Sequence, residues 1–271
     1  MLVLLFSSGV IFLYRFTAGE FLFQKTIHAI EQENNGTKAY NTAILALRQN
    51  PAHTKIHQTF SQINLLLAQS VIAAAREKQQ SAVLTLSDED KNLVTTLMTQ
   101  SVREAKTATA LSPSNVYAWG NLANIYQNLI GTAIEADQWA VAAYQKAISL
   151  DPTNPVLHLD LGGVYTTLKN TDSATREYVT AVSLKPNYTN GYYNLANVYK
   201  LKGDTASARK ALDQVLLLLP KDSPSYHQVT EELKNLNAPT PEQNNESTRS
   251  PELTKPQIPT RPLIVPELTF P

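Results

Sequence analysis

Pro152, Pro186 and Pro220 stand 34 residues apart, and the residues ahead of each proline repeat with it. Leu122, Leu161 and Leu195 begin the pattern, and Tyr126, Tyr165 and Tyr199 follow four residues later. A small residue comes next (Ala140, Ala174, Ala208), then a bulky one (Tyr144, Tyr178, Leu212). Ala147, Ala181 or Val215 precedes the proline. A fixed period of this length marks a stack of small structural units, each burying its apolar face against the next. Such stacks seldom build active sites and commonly present a surface that holds another chain.

Within each unit the apolar residues recur at helical spacing. Leu161, Val164, Tyr165 and Leu168 form one stripe, and Tyr178, Ala181 and Val182 form the next. Two helices approach closely only where side chains are short, so Ala123, Gly162 and Ala196 mark contacts that the tyrosines then fill. The prolines end the second helix, because proline lacks the donor that would continue the ladder and restricts the residue before it. Each unit therefore reads as helix, short turn, helix, stop. The first interval, Pro113 to Pro152, is 39 residues, five longer than the others. The extra residues are expected between Leu129 and Asp137.

The run Trp119, Leu122, Ala123, Tyr126 resembles the opening of a tetratricopeptide repeat. So do His158, Leu161, Gly162, Tyr165 and Tyr192, Leu195, Ala196, Tyr199. The family's turn glycine stands at Gly203 and is replaced by Lys169 in the middle unit. The resemblance implies an all-α fold, an α-α superhelix of the tetratricopeptide type.

Around this centre the chain divides into an apolar N-terminal helix (1–34) and degenerate helical repeats (37–112). Three clear repeats (113–222), a capping helix (223–237) and a proline-rich tail (238–271) follow. The tail carries eight of the fifteen prolines and is expected to be disordered. In the second zone Ala39, Ala43, Ala46 and Pro51 keep the spacing of a second helix with its terminal proline. Phe60, Ile63, Leu67, Val71 and Ala74 mark a long amphipathic helix. Ser87 reads as an N-cap with Asp88, Glu89 and Asp90 on the first turn. The capping helix places Tyr226, Val229, Leu233 and Leu236 inward, with Glu231, Glu232, Lys234 and Asn235 on its outer face.

The stretch from Met1 to Phe23 has the length of a membrane span, with Arg15 and Glu20 as its only charges. It is read first as a membrane anchor, with a buried helix of the stack and a signal peptide as alternatives. A further alternative is the end of the last span of a longer membrane protein. The apolar start, the linker helix and Ala136-Asp137-Gln138-Trp139-Ala140 resemble bacterial membrane proteins with C-terminal repeats, among them O-antigen ligases and polymerases. That resemblance implies membrane association with the repeats outside the cytoplasm. The repeats would be cytoplasmic if the helix is not a span.

The charge is balanced, 23 basic against 23 acidic residues, and no basic stripe with interleaved aromatics appears, so no nucleic-acid partner is indicated. The absence of cysteine removes thiol chemistry and thiolate metal sites. His53 and His57 share a helix face at metal-ligand spacing but lack a third ligand, and read as polar helix surface. No catalytic constellation and no cofactor motif is found.

The family resemblance implies a concave groove lined by the first helices. Mapped here it takes Tyr117, Asn121, Asn124, Gln127 and Asn128 from the first unit. Asp160, Gly163, Thr166 and Thr167 come from the second, and Asn190, Tyr193, Asn194, Asn197 and Lys200 from the third. Amide side chains both donate and accept, which suits pairing with the backbone of an extended peptide. The cationic clamp that some relatives use for a terminal carboxylate is not expected, since Gly120, Asn124, Asp160, Asn190 and Asn194 occupy its places. The reading is a membrane-tethered, non-enzymatic scaffold for a protein or peptide. The alternative is an accessory repeat region of a membrane glycan ligase or polymerase.

Overall fold

The structure is a computed structural model that describes residues 2–78 and 86–237, the side chains of 2–12 and 237 excepted. The proline-rich tail, 238–271, lies outside the described residues. Eleven helices and no strand are found among those described. They are α1 (Leu2–Glu31), α2 (Gly36–Gln49), α3 (Thr54–Lys78), α4 (Asp88–Leu111), α5 (Val116–Asn128) and α6 (Ala136–Leu150). α7 (Pro155–Thr167), α8 (Thr171–Leu184), α9 (Thr189–Leu201), α10 (Thr205–Leu218) and α11 (Pro224–Asn237) complete the order. The all-α expectation holds.

The helix ends follow from local chemistry. α4, α6, α8 and α10 stop at Leu111, Leu150, Leu184 and Leu218, each two residues before a proline of the series. Asn115, Asn170 and Asp204 accept backbone N–H groups at the starts of α5, α8 and α10. Ser87 does the same for α4, accepting from the Asp90 amide at 3.1 Å. Gly203, with φ of 75°, and Lys169, with φ of 58°, both turn the chain through the left-handed region. Lysine thus takes the family's glycine conformation at some strain. The extra residues of the first repeat lie in the turn between α5 and α6, where Gly131 and Glu135 also have positive φ.

Two compact units divide the chain, the break falling inside α7 between Asp160 and Leu161. In the first, each of α1 to α5 packs on the helix that follows it, and α3 also touches α5. That contact between alternate helices is how helical pairs stack. Its core alternates alanines (Ala39, Ala43, Ala46, Ala105, Ala108, Ala123, Ala140) with large residues such as Phe60, Tyr126 and Tyr144. In the second unit α8, α9, α10 and α11 pack in sequence. Gly162 lies so near the Tyr178 ring that a Cβ there would come within 2.5 Å of it.

The N-terminal helix corrects the membrane reading. Among the described residues no helix is long and apolar enough to cross a membrane. Gly19, Phe23, Thr26 and Ala29, at helical spacing along α1, are buried. They pack α1 on α2 as the first member of a pair. Gly19 lets the helices close on Asn50, and Thr26 Oγ1 donates to Thr42 Oγ1 at 3.0 Å. Arg15 donates to the Arg48 carbonyl at 2.9 Å, in the last turn of α2. The residues read as the distal part of a membrane span are a helix of the stack, so localisation through a span is withdrawn.

Candidate functional site

α5 turns two different faces to its surroundings. Leu122, Ala123, Ile125 and Tyr126 are buried, while Tyr117 is 79% exposed and Asn124 and Asn128 are also exposed. Asn121, placed on the groove by its sequence position, is instead buried and donates to Ser61 Oγ at 2.7 Å. Ser101 donates to the Ser61 carbonyl at 2.8 Å, so this set ties α3, α4 and α5 together. Asn128 accepts from Gln69 on α3 at 2.8 Å and donates to the Asn124 carbonyl.

A second polar knot sits one turn away. Tyr144 of α6, 1% exposed, donates to Gln127 Oε1 at 2.9 Å. Burial pushes the Tyr144 hydroxyl well up, with the nearby Asp160 carboxylate adding to the shift. The Asn124 side chain lies near the same hydroxyl and acts against that rise. Asp160, half-buried on α7, is itself pushed up to about 6 by burial. Among the described residues it has no ion pair and no hydrogen bond to its side chain.

In the second unit Thr166 donates to the Gly162 carbonyl at 2.9 Å and meets the Tyr178 hydroxyl at 3.1 Å. Gln127 and Thr166 each follow the repeat tyrosine and each meet the tyrosine of the next helix. The third such position is Lys200. Its partner in phase, Leu212, has no hydroxyl, and Lys200 pairs with Glu232 of α11 instead. Tyr193 donates to Glu232 as well, at 3.3 Å, and burial, then the Glu232 charge, raises its hydroxyl. Asn190 is exposed, Asn194 and Asn197 are half-buried, and the three side chains make no hydrogen bond among the described residues. Gly163 and Thr167 lie on the same helix as Thr166, and Thr167 bonds back to the Gly163 carbonyl.

Two features escaped the sequence. Glu232, read as outer surface, reaches Lys200 and Tyr193; Val229, three residues earlier and buried, was the available signal. His57, read as polar surface, is 7% exposed and lies on the Phe60 and Ile63 stripe. Its Nε2 is 2.8 Å from the Pro51 carbonyl, which can only accept, and its Nδ1 is 2.6 Å from Glu104. With Glu104 ionised both ring nitrogens donate, an arrangement that favours the charged imidazole. Burial alone would lower its pKa, but the bonds to Glu104 and Pro51 raise it above the ordinary value. For Glu104 burial opposes ionisation, yet the bonds from His57 and Arg103 hold it below the usual range. Among the described residues no group of three or more His, Cys, Asp or Glu is placed to hold a metal.

A family model described as tetratricopeptide repeat matches residues 167–233. The match supports the tetratricopeptide repeat family. Solved structures agree at the level of fold. The 41-end form of MamA from Desulfovibrio magneticus is 12% identical, with a TM-score of 0.56 over 74% of this chain and 94% of that one. A thermophilic TPR protein of Thermus thermophilus is 18% identical, with a TM-score of 0.54 over 81% and 99%. Pseudomonas aeruginosa pilF is 14% identical, with a TM-score of 0.56 over 83% and 89%. No curated protein matches the sequence. Neither the matched model nor these structures support the glycan ligase or polymerase reading.

Proposed function

We propose that this protein is a non-enzymatic tetratricopeptide scaffold whose first helices hold an extended segment of a partner protein. The observation that carries the reading is a division among the polar residues of those helices. Asn121, Gln127, Thr166 and Lys200 are tied to the protein itself. Tyr117 and Asn190 stand exposed, and Asn194 and Asn197 keep their amides unbonded among the described residues. Asn124 keeps its oxygen free, as its amide is the group that can donate to Tyr144. An exposed tyrosine offers an apolar ring with a polar tip, and free amides pair with a peptide backbone in either sense.

In this reading 113–222 is the holding part and 223–237 closes its C-terminal end, consistent with Glu232 reaching back to Lys200. The helices of 37–112 extend the stack on the N-terminal side. Selection from a displayed decapeptide library tests the proposal. The full chain should enrich related sequences, and joint replacement of Tyr117, Asn124, Asn194 and Asn197 by alanine should abolish enrichment with helicity unchanged. Equal enrichment by the quadruple variant would move the binding surface elsewhere.

A further inference from the structure

Asp160 stands apart from the paired carboxylates of the described residues. The carboxylates Glu33, Glu104, Asp172 and Glu232 each have a cationic partner. Asp160 is more buried than the exposed Asp172, yet among the described residues no cation or donor reaches it. Neither α5 nor α6 supplies one. α5 carries no charged residue at all. The cation of α6, Lys146, is two residues from Tyr144, about 200° around the helix, and points away. A half-buried carboxylate without a partner is unfavourable, because desolvation opposes its charge. Its surroundings push it toward the neutral form, with a value of about 6.

The register of the helices brings a second acceptor beside it. Gly120 of α5 lies under Leu157 of α7, whose Cδ2 would be 3.5 Å from a Cβ at that position. One turn further along each helix come Asn124 and Asp160. Tyr144 has a single hydroxyl proton, and that proton goes to Gln127 Oε1. Asn124 can then approach that hydroxyl only through its amide nitrogen, and its amide oxygen makes no hydrogen bond among the described residues. Asn124 and Asp160 thus both act on the Tyr144 hydroxyl, and among the described residues neither the Asp160 carboxylate nor the Asn124 amide oxygen receives a hydrogen bond. One or two turns back, Tyr117 and Val156 are 79% and 46% exposed and form an apolar flank.

We infer that Asp160 and the Asn124 oxygen seat a lysine or arginine side chain of the bound partner segment. A cation supplies the charge that Asp160 lacks and the donors that both oxygens can accept, and its alkyl stem can lie along Tyr117 and Val156. The inference rests on the proposed peptide-holding role and names the chemistry of what is held. It fits an extended segment with one basic residue flanked by an apolar one. A partner's terminal carboxylate is the opposite case and would be repelled.

The test uses the full chain and a positional-scanning decapeptide library, followed by titration of the best peptide. The expected result is a lysine or arginine fixed at one position. Asp160→Asn should weaken that peptide about tenfold, a change of about 1.4 kcal/mol. Replacing the basic residue by norleucine should weaken it equally, and the two changes together should do no more than either alone. The norleucine arm does not depend on how the protein variant folds. Enrichment of peptides without a basic position, or additive losses, would overturn the cation seat and leave the peptide-holding role standing. Absence of any enriched peptide would overturn both.

Discussion

The pair α3–α4 and the pair α9–α10 reach the same architecture by different chemistry. α9 and α10 are 13 and 14 residues long and meet through small residues and large apolar ones, Ala196, Ala208 and Ala211 against Leu195, Leu212 and Val215. α3 and α4 run to 25 and 24 residues and bury His57, Ser61, Asn64, Ser101 and Glu104 between them and their neighbours. The apolar pair depends on fit, which many sequences supply, so the period stays visible. The polar pair depends on particular donors meeting particular acceptors. Once His57 and Glu104 hold the seam, leucine and tyrosine are no longer needed at the repeat positions, and the motif fades without loss of the fold.

The largest expected effect breaks the polar side of this comparison. Glu104→Ala leaves the buried His57 ring without its partner, either charged and unpaired or stripped of its proton and of a bond, and should destabilise the first unit by about 3 kcal/mol, read by urea unfolding. His57→Leu with Glu104→Leu should recover much of that loss, since an apolar pair can replace a buried ion pair. A double variant as unstable as Glu104→Ala would mean that the seam needs charge for more than pairing.

Next comes the apolar side. Gly162→Ala forces a Cβ against the Tyr178 ring, which is buried and cannot swing away. Overpacking outweighs the helix propensity gained, for a net loss of about 1–2 kcal/mol. A smaller partner at Tyr178 should relieve it. A Gly162→Ala protein as stable as the parent would show that the ring has room that the close approach denies.

The pH dependence separates the two chemistries again. His57 is raised above 6.5, so its stabilisation is complete below that value and is lost as pH climbs through the raised folded value. Glu104 is lowered below 4.5, so its share is complete above that value and lost as pH falls through the lowered one. The first unit should therefore lose stability on both sides of that window, and His57→Leu should remove the alkaline arm. Asp160 acts in the opposite sense to Glu104. Its carboxyl is raised from 3.8 to about 6, so its penalty is absent below 3.8 and complete above about 6. Asp160→Asn should then stabilise the protein at neutral pH by about 1 kcal/mol, allowing for its partial exposure to water. The smallest effect belongs to the exposed face. Tyr117→Ala should leave stability within about 0.5 kcal/mol while removing a contact for the partner.

Much of the fold was legible because it is written in residue size. The phased prolines place four helix ends at the leucine two residues before them, and the small residues place the close approaches. What was hidden lies in side-chain pairing across distant sequence. Nothing near His57 announces Glu104, 47 residues away, and nothing near Lys200 announces Glu232. The apolar start misled because a run of leucine and phenylalanine suits a lipid and a protein interior alike. What decides against a span is that, among the described residues, no helix is long and apolar enough to cross a membrane, while Gly19, Phe23, Thr26 and Ala29 are buried. At the candidate site the sequence named the first helices but could not separate Asn121, which is buried, from Asn124, which is not. Both asparagines occupy similar helical positions, and only the presence of Ser61 across the interface distinguishes them.

The central claim is that the exposed tyrosine and amides of the first helices hold an extended segment. Titrating an enriched decapeptide into the isotope-labelled protein and following side-chain amide resonances tests it most directly. Asn124, Asn194 and Asn197 should shift with occupancy while Asn121, bonded to Ser61, stays in place. Shifts confined to exposed amides of the second helices, such as Gln138 or Gln214, with Asn124, Asn194 and Asn197 unmoved, would contradict it.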